Sequence, residues 1–216
     1  MSVSYAPAGK PGKWDGVMDW CQMLSGAGLI LFMWCHMLLV SSVVISPDLM
    51  DYIAEFFEST GMAQVGGPVI FLVFLTHFVL AARKIPFRFD GQKVAWQHAR
   101  MMRHGDTWLW LVQVLSAMII LIMGSIHIWV VLTDLPISAM KSAARVQSGF
   151  WAIFYLVLLP LIELHVGIGF YRIAVKWGFV KDSQRARFKR GENILTMLFI
   201  AIGFITLLRF LFLSVA

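Results

Sequence analysis

The chain has 216 residues, of which 59% are hydrophobic and 14% are charged, and its formal net charge is +6. Soluble domains carry roughly 25% charged residues, so this composition excludes an ordinary soluble domain. The basic excess is expected to set membrane topology rather than to bind nucleic acid.

Five apolar runs are long enough to cross a bilayer, whose core of about 30 Å needs ~20 mainly apolar residues in a helix. They lie at about 22–45, 65–83, 108–132, 149–176 and 194–215. The sequence therefore predicts an all-α, polytopic membrane bundle of five transmembrane helices, with residues 1–216 forming a single domain. Asp106, just before the third run, is expected to be its N-cap.

The first connection, "PDLMDYIAEFFESTG", predicts a short helix lying on the membrane surface. Two stripes run along it: an apolar one of Leu49, Ile53, Phe56 and Phe57, and an acidic one of Asp48, Asp51, Glu55 and Glu58. The simplest interpretation of the acidic stripe is a solvated face.

The distribution of Lys and Arg predicts the orientation of the bundle. Residues 1–21 and the second and fourth connections hold 15 of the 18 basic residues, counting Lys10, Lys13 and Arg172. The other side keeps Lys141 and Arg145, with Arg209 near the end of the fifth run. The positive-inside rule therefore places the N-terminus in the cytoplasm.

Four of the six histidines fall inside predicted spans, one on each of the first four helices. An ionisable residue inside a membrane is a functional-site hypothesis by default, although an interhelical hydrogen bond explains any single one. At 1.5 Å per residue, His36 and His127 lie in the outer half and His77 and His165 in the inner half.

Two histidine pairs at two depths suit two b-type haems, each held by imidazoles from facing helices. The chain contains no Cys-x-x-Cys-His, so covalent attachment of haem is not expected. Gly124, Ala81 and Gly169 share the faces of the histidines and would leave space for a porphyrin. Helix packing through small residues explains each of them alone, and a proton relay or haem-free transport is the alternative for the whole set.

Several stretches together resemble a known family: "FMWCHMLLVS", "THFVLAARKIP", "MMRHGDTWLW", "MGSIHIW", "LVLLPLIELH" and "GFYRIAVKWG". The chain resembles the di-haem cytochrome b membrane-anchor subunit of quinol:fumarate reductases, within the succinate dehydrogenase/fumarate reductase superfamily. The similarity runs from "DWCQ" to the final helix, and "MRHGDT", "ELH" and "YRIAVKWG" are its most specific parts.

The resemblance implies which residues hold the haems. His36 and His127 match the ligands of the outer haem, and His77 and His165 match those of the inner haem. It also implies propionate contacts, from Gln22, Trp110 and Lys176 on the inner haem and from Arg145 on the outer one. A family serine next to the glutamine is Met23 here, so the chain departs from the family pattern at that contact. From position alone, Lys176 is better explained as a lysine whose side chain extends to the inner membrane surface.

The partners are also implied by the resemblance: an iron–sulfur subunit and an FAD-containing subunit, in a dimer of heterotrimers in a bacterial inner membrane. The chain would oxidise menaquinol near the outer face and pass electrons through two haem b groups, while fumarate is reduced in the FAD subunit. A di-haem b subunit of a hydrogenase or formate dehydrogenase is an alternative, and "MRHGDT" and "ELH" argue against it. A haem-free proton-coupled transporter is the alternative from another class.

Two glutamates receive roles from the same resemblance. Glu58 matches a residue near the quinol site and would accept the proton of menaquinol. Glu163 lies two residues before His165, about 200° around the helix, so it is expected to point away from the inner haem. The resemblance gives it a part in proton transfer, and a polar interhelical contact is the alternative.

Overall fold

A computed structural model describes residues 12–86 and 88–214. Lys10 and the predicted end of the fifth span at Val215 lie outside the described residues. Within those residues the chain is 86% helical and has no strands, which confirms the all-α prediction.

The described chain forms eight α-helices: α1 (Lys13–Ser41), α2 (Pro47–Ser59), α3 (Met62–Ala82), α4 (Phe89–Met102), α5 (Gly105–Leu132), α6 (Ala139–Gln147), α7 (Phe150–Lys176) and α8 (Arg185–Leu211). Five of them, α1, α3, α5, α7 and α8, are long and apolar enough to cross a membrane, which confirms the prediction of five spans. Leu72 and Val79 of α3 are 65% and 66% exposed, as expected of side chains that face lipid.

Two of the five long helices begin nine residues earlier than predicted. α1 begins at Lys13 instead of residue 22, and α8 at Arg185 instead of residue 194. The added segments, "KWDGVMDWC" and "RARFKRGEN", are polar or mixed, so an apolar window does not detect them. Lys and Arg are nevertheless good helix formers, and these turns continue the spans beyond the hydrocarbon region.

The three short helices lie in the connections. α2 was predicted, and its N-cap Ser46 accepts a hydrogen bond from the backbone N–H of Leu49 at 3.0 Å. α4 and α6 were not predicted. We call the end of the bundle that carries α2 and α6 the outer end and the opposite end, with α4, the inner end, following the charge prediction.

The N-cap of α5 is His104, so the prediction for Asp106 is wrong. Asp106 lies in the first turn of α5, where a carboxylate is still favourable beside the helix N-terminus. Its Oδ1 accepts a hydrogen bond from the Tyr171 hydroxyl of α7 at 3.4 Å.

Four of the long helices form a closed ring in which α1 contacts α3, α3 contacts α5, α5 contacts α7 and α7 contacts α1. α8 packs outside this ring against α7 and α1. At the outer end, α2, α6 and α8 close the bundle around a buried cluster that includes Val43, Met50, Ala143 and Phe210. The first four membrane-spanning helices therefore surround a central space.

Candidate functional site

A cavity of about 1300 Å³ runs through the ring of α1, α3, α5 and α7. Typical small-molecule pockets measure roughly 300–1,000 Å³, so this one is unusually large. All four histidines of the spans line it: His36, His77, His127 and His165. The structure therefore brings the four residues singled out in the sequence to one cavity.

The two histidines predicted for the outer half face each other. The ring centroids of His36 and His127 are 6.1 Å apart, with 61° between the ring planes. Imidazole nitrogens bind metals at about 2 Å, so this separation accommodates one metal ion between the rings. Nδ1 of His127 is 3.2 Å from the Tyr155 hydroxyl, which fixes the orientation of that ring.

The two histidines predicted for the inner half are each held through Nδ1. His77 Nδ1 is 3.0 Å from Ser25 Oγ, and His165 Nδ1 is 3.1 Å from both Ser116 Oγ and the backbone oxygen of Gln113. Metal-binding histidines commonly make such a bond with the nitrogen that does not bind the metal. This arrangement leaves Nε2 of both rings for a ligand in the cavity.

The two pairs lie at different depths. Ser25 precedes His36 by eleven residues on α1, and Ser116 precedes His127 by eleven on α5, each about 16 Å along the helix axis. Because the two serines contact His77 and His165, the inner pair lies about that distance from the outer pair.

Small residues widen the cavity, as the sequence suggested. Gly124, Ala81 and Gly169 all line it. A further glycine was missed: a Cβ on Gly26 would lie 2.9 Å from His77 Cε1, so this position has no room for a side chain. Its neighbour Gly28 has nothing within 4 Å of such a Cβ.

At the inner mouth, three cations converge on Asp19, a residue that sequence reasoning did not select. Its carboxylate lies 2.6 Å from Arg83, 2.7 Å from Lys84 and 2.7 Å from Lys176. Even counting Asp15, which is 3.5 Å from Arg83, this group has one more cation than carboxylates. The residues predicted to bind inner propionates, Gln22, Trp110 and Lys176, all line the cavity here.

At the outer mouth, Asp134 joins two cations. Its carboxylate is 2.5 Å from Arg145 and 2.7 Å from Lys141, and Arg145 lines the cavity. The hydrogen bond from Lys141, together with the charges of Lys141 and Arg145, holds the pKa of Asp134 below its usual value.

The acidic stripe of α2 divides into two kinds of residue. Asp48 and Glu55 are exposed, as a solvated face requires. Asp51 and Glu58 are half-buried and bind backbone N–H groups of the segment that leads into α6: Ala139 N donates to Asp51 Oδ1 at 2.6 Å, and Ile137 N donates to Glu58 Oε1 at 2.5 Å. The solvated interpretation is therefore wrong for these two acids. Glu58 is not among the cavity-lining residues, although Phe57 is.

The predicted apolar stripe of α2 is only partly correct, because Ile53 and Phe57 line the cavity but Phe56 does not. The buried residues are Met50 and Ala54, whereas Phe56 is 53% exposed. Met50, Asp51, Ala54 and Glu58 thus form the face that docks on the rest of the bundle.

Glu163 is almost completely buried, with 1% of its surface exposed. Within the described residues its Oε1 has no hydrogen-bond partner. The residue lines the large cavity and also a small second cavity, together with Trp34, Glu192 and Thr196. Glu192, another buried acid that sequence reasoning missed, accepts hydrogen bonds from Lys189 at 2.5 Å and from Thr196 at 2.9 Å.

Comparison with known proteins indicates the same family as the sequence stretches quoted above. Residues 90–207 match the family model described as succinate dehydrogenase/fumarate reductase transmembrane subunit. The fumarate reductase cytochrome b subunit of Helicobacter pylori is 36% identical over 215 residues, which cover 94% of this chain and 84% of that protein. The fumarate reductase cytochrome b subunit of Wolinella succinogenes is 32% identical over 213 residues, which cover 93% of this chain and 83% of that protein.

Proposed function

The chain belongs to the succinate dehydrogenase/fumarate reductase transmembrane subunit family, as a multi-pass cytochrome b subunit of the bacterial inner membrane. From this premise we propose that it takes electrons from menaquinol near its outer end and passes them inward through two haem b groups. As the membrane subunit of a fumarate reductase it partners an iron–sulfur subunit and a flavoprotein. The iron–sulfur subunit receives the electrons, and the FAD-containing flavoprotein reduces fumarate.

One observation carries the proposal: a single large cavity is lined by two histidine pairs about 16 Å apart. His36 and His127 would hold the outer haem, and His77 and His165 the inner one. The donor set fits, because a histidine nitrogen is a common protein ligand of haem iron. Three of the four rings are already oriented through Nδ1, by Tyr155, Ser25 and Ser116.

Haem, when bound, supplies one-electron chemistry at a potential set by its ligands and its surroundings. The cavity is lined mainly by apolar side chains of α1, α3, α5 and α7, which would limit the access of water to the two sites. Gln22, Trp110 and Lys176 would contact inner propionates, and Arg145 an outer propionate. Each of these residues borders the cavity, and each of the two cations already pairs with a carboxylate at its mouth.

Glu58 would accept the proton that leaves menaquinol. Its Oε1 is engaged by Ile137 N, and the described residues make no other hydrogen bond to this carboxylate, so Oε2 remains for a proton. Its neighbour Phe57 lines the cavity, which supports a position of the acid close to the cavity.

Glu163 would carry protons between the two sides of the membrane. An unsatisfied buried oxygen costs about 1–3 kcal/mol. Its Oε1 is such an atom, which favours a functional role over a purely structural one.

The test is the haem content of the purified complex. Pyridine haemochrome analysis should give two haem b per copy of this chain. Replacing His77 or His165 with Ala should remove the inner haem and leave the outer one. His98, exposed on α4 and not among the residues that line the cavity, is the matched control, and its replacement should leave the haem content unchanged. A complex without haem would reject the proposal and favour the haem-free transporter.

A further inference from the structure

The outward-running helices α1 and α5 carry the same sequence unit. α1 reads "QMLSGAGLILFMWCH" over 22–36, and α5 reads "QVLSAMIILIMGSIH" over 113–127. In both, Gln is followed by Ser after three residues and by His after eleven more.

The repeated unit has the same geometry in both copies. Ser25 contacts His77 of α3, the next long helix, and Ser116 contacts His165 of α7, the next long helix after α5. The histidines that end the two units, His36 and His127, form the outer pair. Each unit therefore contributes at both depths of the bundle. Its serine contacts a histidine of the inner pair, and its histidine belongs to the outer pair.

We infer that Ser25 and Ser116 are positioning residues that orient the inner histidines and set the potential of the inner haem. The inference rests on the proposed function, because it requires His77 and His165 to be haem ligands. It assigns a role to two residues that are neither the proposed iron ligands nor the proposed propionate contacts.

The hydrogen-bond inventory allows each histidine to donate from Nδ1, and we assign the two bonds in that direction. A serine hydroxyl has one donor and two acceptor positions. Ser25 can donate to the backbone oxygen of Cys21 at 2.7 Å, and Ser116 to that of Gln113 at 3.1 Å. Each Oγ is then free to accept from Nδ1–H of its histidine. The proton is thereby held on Nδ1, and the lone pair of Nε2 faces the cavity.

An acceptor on Nδ1–H makes the imidazole a stronger electron donor to a metal. A stronger donor stabilises the oxidised iron and lowers its reduction potential. Removing the serine oxygen should therefore raise the potential of the inner haem and leave that of the outer haem unchanged. His165 also bonds the backbone oxygen of Gln113, so loss of Ser116 weakens the arrangement without abolishing it.

Serines in membrane helices often bond only to their own backbone. Ser125 on α5 is such a residue, since its Oγ donates to the backbone oxygen of Leu121 at 2.6 Å and, within the described residues, makes no hydrogen bond to a histidine. It is therefore the matched control for Ser116, on the same helix and with the same truncation.

The experiment is a redox titration of the haem α-bands in the intact complex, with haem content measured in parallel. The midpoint that disappears in His77→Ala identifies the inner haem. Ser25→Ala and Ser116→Ala should each raise that midpoint, and the double variant should raise it further. Ser125→Ala and the hydroxyl-retaining Ser116→Thr should match the unmodified complex.

Two results separate this inference from the proposed function. Unchanged midpoints in both alanine variants with two haems bound, or an equal shift in Ser125→Ala, would overturn the inference alone. An unmodified complex with fewer than two haems would overturn the proposed function first. Loss of only the inner haem in Ser25→Ala or Ser116→Ala, with retention in Ser116→Thr, supports the positioning role.

Discussion

Replacement of Glu58 by Gln separates two roles of one side chain. Its Oε1 accepts a hydrogen bond from Ile137 N and so docks α2 on the segment before α6. A glutamine amide oxygen retains this acceptor. It cannot take a proton from a quinol, so only the proposed chemical role is lost.

The two roles differ in the free energy that each contributes. A hydrogen bond to a charged group contributes ~1.5–3 kcal/mol and a neutral one ~0.5–1.5, so the loss in docking is about 1 kcal/mol. A positioned general base accelerates a reaction by roughly 10²–10⁴-fold. At about 1.4 kcal/mol per tenfold change, that corresponds to ~3–6 kcal/mol of barrier. Quinol oxidation should therefore fall at least ~100-fold while stability changes little.

The assay is fumarate reduction by the whole complex, driven first by menaquinol and then by an artificial donor that reduces the partner subunits directly. Glu58→Gln should lose only the quinol-driven rate, with both haems still bound. Asp51→Asn is the matched control, because Asp51 makes the same kind of bond to Ala139 N. Glu55, exposed on the same helix, should tolerate replacement by Gln.

Near-normal quinol-driven turnover in Glu58→Gln would show that Glu58 only docks α2 and that the proton acceptor lies elsewhere. An equal loss in Asp51→Asn would also refute the reasoning, since both changes would then act through the docking of α2.

Arg145→Leu should lower the midpoint of the outer haem and Lys176→Leu that of the inner haem, because a nearby cation favours the reduced, less positive centre; unchanged midpoints in redox titrations would contradict this. Gly26→Val should remove the inner haem in a pyridine haemochrome assay. Even a Cβ at this position would lie 2.9 Å from His77 Cε1, so the valine side chain would displace this haem ligand. Gly28→Val, where nothing lies within 4 Å of a Cβ, should keep both haems, and equal losses in the two variants would mean that α1 merely tolerates no β-branched residue.

The five spans and the pairing of histidines by depth were predictable, because bilayer thickness and helix rise fix how far along each span a residue lies. The ends of the spans were not, since polar turns such as 185–193 continue α8 without an apolar signal. α4 and α6 are short and mixed in composition, and they become visible only through packing.

Long-range hydrogen bonds explain the remaining misses. The acceptors on α2 lie 79 and 88 residues from their donors, so nothing local distinguishes Asp51 and Glu58 from the solvated Asp48 and Glu55. Ser25 and Ser116 are different, because a repeated Gln-x-x-Ser spaced eleven residues before a histidine is a pattern that the sequence displays. Its meaning required the neighbouring helices that carry the partner histidines.

At each mouth of the cavity, a cation that is proposed to bind a propionate is paired with an aspartate. A cationic side chain at the membrane boundary is partly desolvated even when no ligand is bound. A nearby carboxylate offsets the free-energy cost of this desolvation. Lys176 is held in this way by Asp19, and Arg145 by Asp134. Both mouths have more cations than carboxylates. Each can therefore bind the carboxylate of a ligand while Asp19 or Asp134 keeps its own ion pair. Since Lys176 and Arg145 lie at opposite ends of the cavity, each should act on the haem nearest to it and leave the other unaffected.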